Sequence, residues 1–197
     1  MLCRAMSRPN QQLYDAAMRV LYYLARHADV GLFYEADPTD ICAYSDSDLG
    51  TQYSTTGWDV HWQKASISFG SKKQISVATS SCHAEIIAAS ETAKEAKYFS
   101  EFTTELGFPP KEPMPVYVDN QAAIDLSYNP EFHSRTKHID RRHFYIRELV
   151  EDHVVRVQYV NTAENLADFF TKPLPPKTFF KLRDRIMNIH SEHGRAA

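Results

Sequence analysis

The sequence predicts a mixed α/β domain, in which one sheet contains both antiparallel and parallel strands and helices pack against it. Two observations support this class. Three strand patterns come first and the remaining elements then alternate, in the order β-β-β-α-β-α-α-β-α. In addition, 43% of the 197 residues are hydrophobic and 12% are aromatic, which is enough for a core of ordinary size.

A helix is predicted ahead of the sheet, over residues 10–27. Apolar residues including Leu13 and Leu24 recur there at the spacing of one helix face, which is typical of an amphipathic helix. The turn-rich stretch Asp37-Pro38-Thr39-Asp40 follows. We therefore place a domain boundary after residue 37, so that residues 1–37 form a separate helical segment.

Three strands are predicted next. The first runs from Ile41 to Ser45 and is followed by the acids Asp46 and Asp48. The other two, residues 57–62 and 65–69, flank a two-residue connection and form a hairpin. The segment after the hairpin is basic and is predicted to be an exposed turn, made of Ser71, Lys72, Lys73 and Gln74.

The remaining elements are one long helix, two strands and several shorter helices. The long helix covers residues 79–106 and carries a stripe of alanines that suits close packing on a sheet. A strand over residues 115–118 ends at Asp119, and Asn120 is a suitable N-cap for the helix that follows. Beyond these we predict a helix over 137–151, a strand over 154–160, a short helix over 164–171, a Pro-rich linker over 172–176 and a last helix over 177–188.

The charge and the cysteine content exclude some classes of protein. The formal net charge is -3 and the sequence pI is about 6.3, which argues against binding nucleic acid through bulk positive charge. The three cysteines are scattered and form no CxxC pair, which excludes a cysteine-based zinc framework and is typical of a reducing compartment. The sequence has neither a secretory signal nor a run of roughly 20 apolar residues. We therefore expect an intracellular protein with no membrane partner.

Four acids occupy positions at which the predicted fold could bring them together: Asp46, Glu85, Asp119 and Asp168. Two of them follow strands at a Tyr-x-Asp step, and strand ends are where an α/β sheet presents its functional site. Carboxylate oxygens are the ligands that Mg²⁺ prefers, and two such ions about 4 Å apart could activate a water for attack on a phosphodiester. However, acids are common on protein surfaces and this chain has 25 of them, so spacing alone favours a chance grouping over a site.

Motifs distributed over the chain resemble successive blocks of a known family. They are YSDSD (44–48), STTGW (54–58), SISFGSKKQISVATSS (66–81), AEIIAAS (84–90), EAKYF (95–99), VYVDNQAAI (116–124), NPEFHSRTKHID (129–140), HFYIREL (143–149) and NLADFFTKPLP (165–175). In this unbroken order, over about residues 38–176, they resemble the ribonuclease H domain of copia-type retrotransposon polyproteins. The segment 7–34 resembles the tail that links the family's reverse transcriptase to that domain, and we expect the polymerase itself to be absent from this chain.

The resemblance implies a ribonuclease H-like fold, a five-stranded mixed sheet flanked by helices. It implies an endonuclease that cuts the RNA strand of RNA–DNA hybrids with two Mg²⁺ ions, for which Mn²⁺ could substitute. It also implies a reverse transcriptase domain as partner and a location in a cytoplasmic virus-like particle or in the nucleus. The acidic tetrad of the family falls on the same four positions, Asp46, Glu85, Asp119 and Asp168.

Eight residues are candidate contacts to the nucleic acid. A basic turn can bind phosphates through its lysines and backbone amides, and side-chain amides can bond to ribose 2′-hydroxyls. The candidates are Ser71, Lys72, Lys73, Gln74, Asn120, Gln121, Lys137 and His138. An ordinary solvated turn, a helix cap and a solvated helix face remain the alternatives at these positions.

Departures from the family pattern keep a second interpretation open. The loop over residues 49–53 is shorter than in the family, and Phe69 stands where the family usually has Trp. The alternative is a catalytically inactive retroelement remnant that binds nucleic acid or is purely structural. A third interpretation, an integrase or resolvase of the same fold, is disfavoured by the block over residues 165–175.

Overall fold

Five strands form one mixed sheet in the computed structural model, which describes residues 7–36, 41–50, 53–128 and 141–189, with only the backbone described for 141–144. The strands are β1 (Cys42–Asp48), β2 (Thr55–Trp62), β3 (Ala65–Lys73), β4 (Met114–Val118) and β5 (Val155–Tyr159). Their order across the sheet is β3-β2-β1-β4-β5. Strand β2 is antiparallel to both of its neighbours, β1 and β3, whereas β1, β4 and β5 are parallel. The predicted mixed five-stranded sheet is confirmed.

The helices lie between and after these strands. They are α1 (Gln11–Arg26), α2 (Ser81–Glu105), α3 (Gln121–Tyr128), α4 (Arg141–Glu151), α5 (Asp168–Thr171) and α6 (Pro176–Met187). The predicted single helix over residues 164–171 is wrong, because a 3-10 turn over Thr162–Glu164 and α5 are separate pieces. The break lies at Asn165, whose extended backbone interrupts the helix and whose side-chain oxygen accepts from the Ala167 N–H at 3.1 Å. None of the described helices is both long enough and apolar enough to cross a membrane.

The main core lies between the sheet and α2. The alanine stripe of this helix, Ala89, Ala93 and Ala96, is buried against apolar residues of the strands, as predicted. Small side chains allow the helix axis to approach the sheet, and Ser80 caps the helix by accepting a hydrogen bond from the His83 N–H at 3.1 Å. This packing fixes the position of the first turns of α2 relative to β1.

A smaller core covers the opposite face of the sheet. Leu182 and Ile186 of α6 are buried there with Leu166, and Tyr44 of β1 packs against them. The C-terminal part of the chain therefore forms a layer on the second face of the sheet. This layer is what brings α5 to the strands that carry the acids.

The β2–β3 hairpin turns on Gln63 and Lys64, which have φ values of 52° and 66°. Two consecutive left-handed residues are the signature of a tight two-residue hairpin turn, so the predicted connection is confirmed. The prediction of a basic turn over residues 71–74 is wrong. Lys72 and Lys73 continue β3 in register with β2, because the ladder extends as far as the pair Thr55 and Lys73.

Helix α1 lies outside both cores. The helix starts where it was predicted to start, and the Asn10 side chain caps it by accepting a hydrogen bond from the Leu13 N–H at 2.9 Å. However, none of its residues is buried, and Leu24 in the apolar stripe is 56% exposed. The helix touches α6 through an edge-on contact of Tyr23 with Phe179, and a cavity of about 590 Å³ separates the two helices elsewhere.

Candidate active site

Asp46 and Asp119 become neighbours through the parallel pairing of β1 and β4. Tyr44 is in register with Tyr117, and each of the two aspartates lies two residues further along the chain, Asp46 within β1 and Asp119 directly after β4. Side chains two residues apart share a face, so both carboxyl groups lie on the face that carries Tyr44. The first strand was predicted to end at Ser45. In the structure, β1 continues through Asp46 to Asp48, and these residues pair with β2.

Asp168 reaches the same place because α5 lies directly on β2. A Cβ built on Gly57 would lie 2.6 Å from Thr171 Cγ2 and 2.9 Å from the Ala167 carbonyl oxygen, closer than side-chain carbons approach. The absence of a side chain at Gly57 therefore permits the contact. Gly57 is also the residue that pairs with Asp46, so the helix lands beside that carboxylate.

The chain before α5 is held to β1 by a buried amide. Asn165 is completely buried, and its Nδ2 donates to the Ser45 carbonyl oxygen at 2.9 Å. This bond joins residues 120 positions apart in the sequence and neighbours Asp46 directly. Sequence reasoning missed Asn165, because an asparagine between two short helices gives no sign of its long-range partner.

Three of the four predicted acids form one cluster. Asp46, Asp119 and Asp168 each offer a carboxylate oxygen, and these oxygens all lie within 4.8 Å of one another. Asp46 is 2% exposed and Asp168 is 5% exposed, so two of the charges are almost completely removed from water. Thr171 donates its hydroxyl to Asp46 Oδ2, which orients that carboxylate.

Glu85, the fourth predicted acid, lies beside the cluster. It is buried in the second turn of α2, and its Oε1 accepts a hydrogen bond from the Ser47 N–H at 3.3 Å. Its Oε2 is buried and has no hydrogen-bond partner among the described residues. A buried carboxylate oxygen without a donor is costly unless a cation compensates it, so this atom fits a metal ligand.

Burial, together with the neighbouring charges, raises the pKa values of Glu85, Asp46 and Asp119. Burial, followed by the charges of Asp46 and Asp119, raises the pKa of Glu85 to about 9. Burial also raises the pKa of Asp46 to about 6, against the lowering effect of the Thr171 hydrogen bond. The pKa of Asp119 is raised as well, mainly by burial. Without a bound cation, the site therefore retains protons that ordinary carboxyl groups would release.

Lys172, placed by the sequence in a linker, is part of the site. Its Nζ lies 2.7 Å from Asp168 Oδ1 and 3.9 Å from Asp46 Oδ2. Burial alone would lower the pKa of this lysine, but the hydrogen bond to Asp168 and the nearby carboxylates outweigh it and raise the pKa. The signal that sequence reasoning missed was the spacing of four residues from Asp168.

The donor set is consistent with a divalent metal ion. It consists only of carboxylate oxygens, which are hard ligands that suit Mg²⁺, Mn²⁺ or Ca²⁺ rather than thiolate-bound zinc. Mutually repelling buried carboxylates are stabilised when a cation neutralises them. Both the composition of the cluster and the unpartnered Glu85 oxygen therefore fit such an ion.

The candidate nucleic-acid contacts lie in different environments. Lys72 and Lys73 are exposed on β3, where Lys73 lies 4.0 Å from the centroid of the Tyr53 ring. Ser71 precedes them and lines a cavity of about 300 Å³ together with Thr171 and Lys172. Ser71 therefore faces the cavity beside the acids, whereas Lys72 lies 3.7 Å from the carboxylate of Glu91 on α2.

Gln74 belongs to the interior instead. Its Nε2 donates to Thr56 Oγ1 at 3.1 Å and to the Ala84 carbonyl oxygen at 3.0 Å, which ties β2 to the start of α2. Asn120 accepts a hydrogen bond from the Ala123 N–H at 3.2 Å, as predicted for a helix cap. Gln121 is exposed on α3, and Lys137 and His138 lie outside the described residues.

Comparison with known proteins identifies the relatives of the chain. No protein-family model matches it. The chain is 39% identical over 193 residues to the retrovirus-related Pol polyprotein from transposon TNT 1-94 of Nicotiana tabacum, covering 95% of this chain and 14% of the relative. It is 38% identical to the corresponding polyprotein from transposon RE2 of Arabidopsis thaliana, covering 90% of this chain and 13% of the relative.

Among solved structures, the chain aligns with the N-terminal RNase H domain of rv2228c from Mycobacterium tuberculosis, determined as a fusion with maltose-binding protein. The TM-score is 0.48 at 10% identity, over 72% of this chain and 94% of that chain. The chain spans about one-seventh of the length of the curated relatives it matches. It is homologous to part of the copia-type retrotransposon Pol polyproteins, and the resemblance predicted from the sequence is confirmed.

Proposed function

We propose that this homologue of copia-type Pol polyproteins is a ribonuclease H, a metal-dependent endonuclease that hydrolyses the RNA strand of RNA–DNA hybrids. One observation carries the proposal: carboxylate oxygens of Asp46, Asp119 and Asp168 lie within 4.8 Å of one another, although the residues are far apart in the sequence. The similarity to retrotransposon Pol polyproteins also supports the proposal. In it, the four acids predicted from the sequence resemblance form the tetrad of the family.

Four side chains would hold two Mg²⁺ ions, for which Mn²⁺ could substitute. Asp46 and Asp119 would flank both ions, Glu85 would complete one site and Asp168 the other. Held by these residues, the ions would supply activation of the attacking water and stabilisation of the leaving oxygen of the phosphodiester.

Neighbouring residues keep these ligands in place before anything binds. The Thr171 hydroxyl and the Ser47 N–H direct the carboxylates of Asp46 and Glu85, and Asn165 anchors the chain that leads to Asp168. Because the acids are buried, their interaction with a cation is stronger than it would be in water. A pre-arranged, partly desolvated ligand set lowers the cost of organising the site during the reaction.

The proposed substrate is an RNA–DNA hybrid that lies across the edge formed by Ser71, Lys72 and Lys73. The lysines would bind phosphates, and the amides of Asn120 and Gln121, beside Asp119, would reach the 2′-hydroxyls of the RNA strand. Because Gln74 is buried and already bonded to the protein, we leave it out of this surface.

The proposal extends to the arrangement of the longer protein. Residues 38–176 would form the ribonuclease H-like unit, residues 1–37 would belong to the tail of a reverse transcriptase, and residues 177–197 would form a C-terminal helix and tail. The reverse transcriptase domain would be the partner of this unit. From the homology we also propose action in a cytoplasmic virus-like particle or in the nucleus.

A cleavage assay on a labelled RNA–DNA hybrid in Mg²⁺ tests the function. We expect the chain to cut the RNA strand, and Asp119→Asn to reduce the rate roughly 10²-fold or more, because a metal ligand is lost. Asp15→Asn is the matched control. Asp15 is exposed on α1, where it accepts a hydrogen bond from Gln11 Nε2 at 2.8 Å, so this variant should keep the wild-type rate.

The outcomes separate the competing interpretations. An uncut hybrid that the chain nevertheless binds would contradict the enzyme and support the inactive remnant. Cleavage of duplex DNA in place of the hybrid would point to an integrase or resolvase. Equal rates for the two aspartate variants would show that the acidic cluster is not the active site.

A further inference from the structure

The ammonium group of Lys172 occupies the acidic cluster in the metal-free protein. Asp168 and Asp46, which it contacts at 2.7 and 3.9 Å, are two of the three acids whose oxygens converge. Both are nearly inaccessible to water, so their charges need compensation from within the protein. In the described part of the site, Lys172 is the lysine that supplies it.

This position conflicts with a metal ion. A divalent cation bound to the same carboxylate oxygens would lie within a few ångströms of the ammonium, and like charges at such distances repel strongly in a buried environment. The carboxylates are constrained, because Asp46 is within a central strand and Asp168 begins a helix packed on Gly57. The lysine is the group that can move.

The surroundings of Lys172 offer it a second position. Its side chain is 35% exposed and has four rotatable methylene groups. It lines the cavity of about 300 Å³ between α5 and the strands, which is also lined by Thr55 and Ser71. The ammonium can leave the carboxylates for this cavity without a change in the backbone.

We propose that Lys172 is a tethered counter-ion, which neutralises the acidic cluster in the metal-free protein and is displaced into the neighbouring cavity when a divalent metal ion binds. The inference rests on the proposed metal-binding function, and it adds that Lys172 competes with the metal ion for the carboxylates. The lysine stabilises the empty site at the expense of metal affinity, and metal binding releases a positive charge next to the proposed substrate surface.

The competition predicts opposite effects of one substitution. Lys172→Met keeps the length of the side chain but removes the charge, so the metal-free protein should unfold at a lower temperature. The same variant should bind Mg²⁺ and Mn²⁺ about fivefold more tightly, the change that corresponds to the loss of a partly exposed ion pair. A lysine that only positioned α5 would have a different effect, because its removal would weaken both stability and metal binding.

Isothermal titration calorimetry with Mn²⁺ and with Mg²⁺ on the full chain measures the affinity directly, without reference to cleavage. Lys172→Gln is a second neutral variant in case Lys172→Met does not fold, and circular dichroism checks the fold of each. Lys172→Arg retains the charge and should bind the metal no more tightly than the wild type. Lys177→Met, at an exposed position in the first turn of α6, is the control for loss of a positive charge elsewhere.

Tighter binding by the neutral Lys172 variants, with no change in the Lys177 control, would support the displacement. Affinities of the neutral variants equal to or weaker than that of the wild type would overturn the inference and leave the metal site standing. Absence of binding by the wild type and by every variant would overturn the inference together with the proposed function.

Discussion

Replacing Glu85 by glutamine should remove most of the pH dependence of stability in the metal-free protein. The pKa of this carboxyl is raised from its ordinary 4.5 to about 9 by burial and by the charges of Asp46 and Asp119. The folded protein therefore keeps a proton that the unfolded chain releases. Since the pKa is raised on folding, the stabilising contribution is complete below about pH 4.5 and is lost as the pH rises towards about 9.

The size of the effect follows from this one proton. Between the two pKa values, the free energy of unfolding falls by about 1.4 kcal/mol for each pH unit. From pH 6 to pH 8 the contribution of Glu85 is therefore roughly 2–3 kcal/mol, a large part of the stability of a typical domain. Asp46, with a pKa of about 6, adds its own decrease mainly at lower pH. Glutamine has nearly the same shape as glutamate but does not titrate, so the pH-dependent contribution of residue 85 to the free energy of unfolding disappears.

Urea unfolding in EDTA at pH 6, 7 and 8 measures this slope. Glu101→Gln is the matched control, because Glu101 lies on the same helix but is exposed and pairs with Lys97 at 3.7 Å. We expect the wild type and the control to lose stability over this range, and Glu85→Gln to lose much less. If Glu85→Gln keeps the wild-type slope, the reasoning about the buried acid is refuted.

Three further substitutions test how the site is assembled. Gly57→Ala would place a Cβ 2.6 Å from Thr171 Cγ2, so it should destabilise the fold by about 1–3 kcal/mol and weaken Mn²⁺ binding in calorimetry. Gly31→Ala is the control and should do neither, because no heavy atom lies within 4 Å of the added Cβ. Thr171→Val removes the hydroxyl that lowers the pKa of Asp46, so carboxyl NMR titration should show that pKa rising; no change would contradict the hydrogen bond. Leu182→Ala, in the buried layer on the second sheet face, should cost about 2–5 kcal/mol in urea unfolding, and a near-neutral result would mean that α6 is not packed there.

Features of the fold with a local cause could be predicted from the sequence. The alanine stripe of α2, the two-residue hairpin and the Asn120 cap all depend on residues within a few positions of one another. The two Tyr-x-Asp steps were also informative. In a parallel pair with Tyr44 beside Tyr117, equal spacing necessarily makes Asp46 and Asp119 neighbours.

Features that depend on distant contacts could not be predicted in this way. The basic turn was wrong because its residues pair with β2, and a tripeptide of Ser and Lys contains no information about that ladder. The apolar stripe of α1 predicted an amphipathic helix but not what covers its apolar face, and Leu24 remains exposed because the partners of such a stripe are set by the rest of the fold. The Asn165 bond to Ser45 spans 120 positions and leaves no periodicity in the sequence.

Gly57 and Asn165 explain how Asp168, near the end of the chain, comes to lie beside the other two acids. Asp46 and Asp119 are placed by the sheet, but Asp168 reaches them only when α5 packs on Gly57 and Asn165 bonds to β1. Bringing a third buried carboxylate to two others is unfavourable by itself, because like charges repel in a medium of low dielectric constant. The same four-residue helix that brings Asp168 also brings the Thr171 hydroxyl and, immediately after it, the Lys172 ammonium. The segment that adds the third carboxylate therefore also adds a hydroxyl and an ammonium group, which offset the repulsion between the acids.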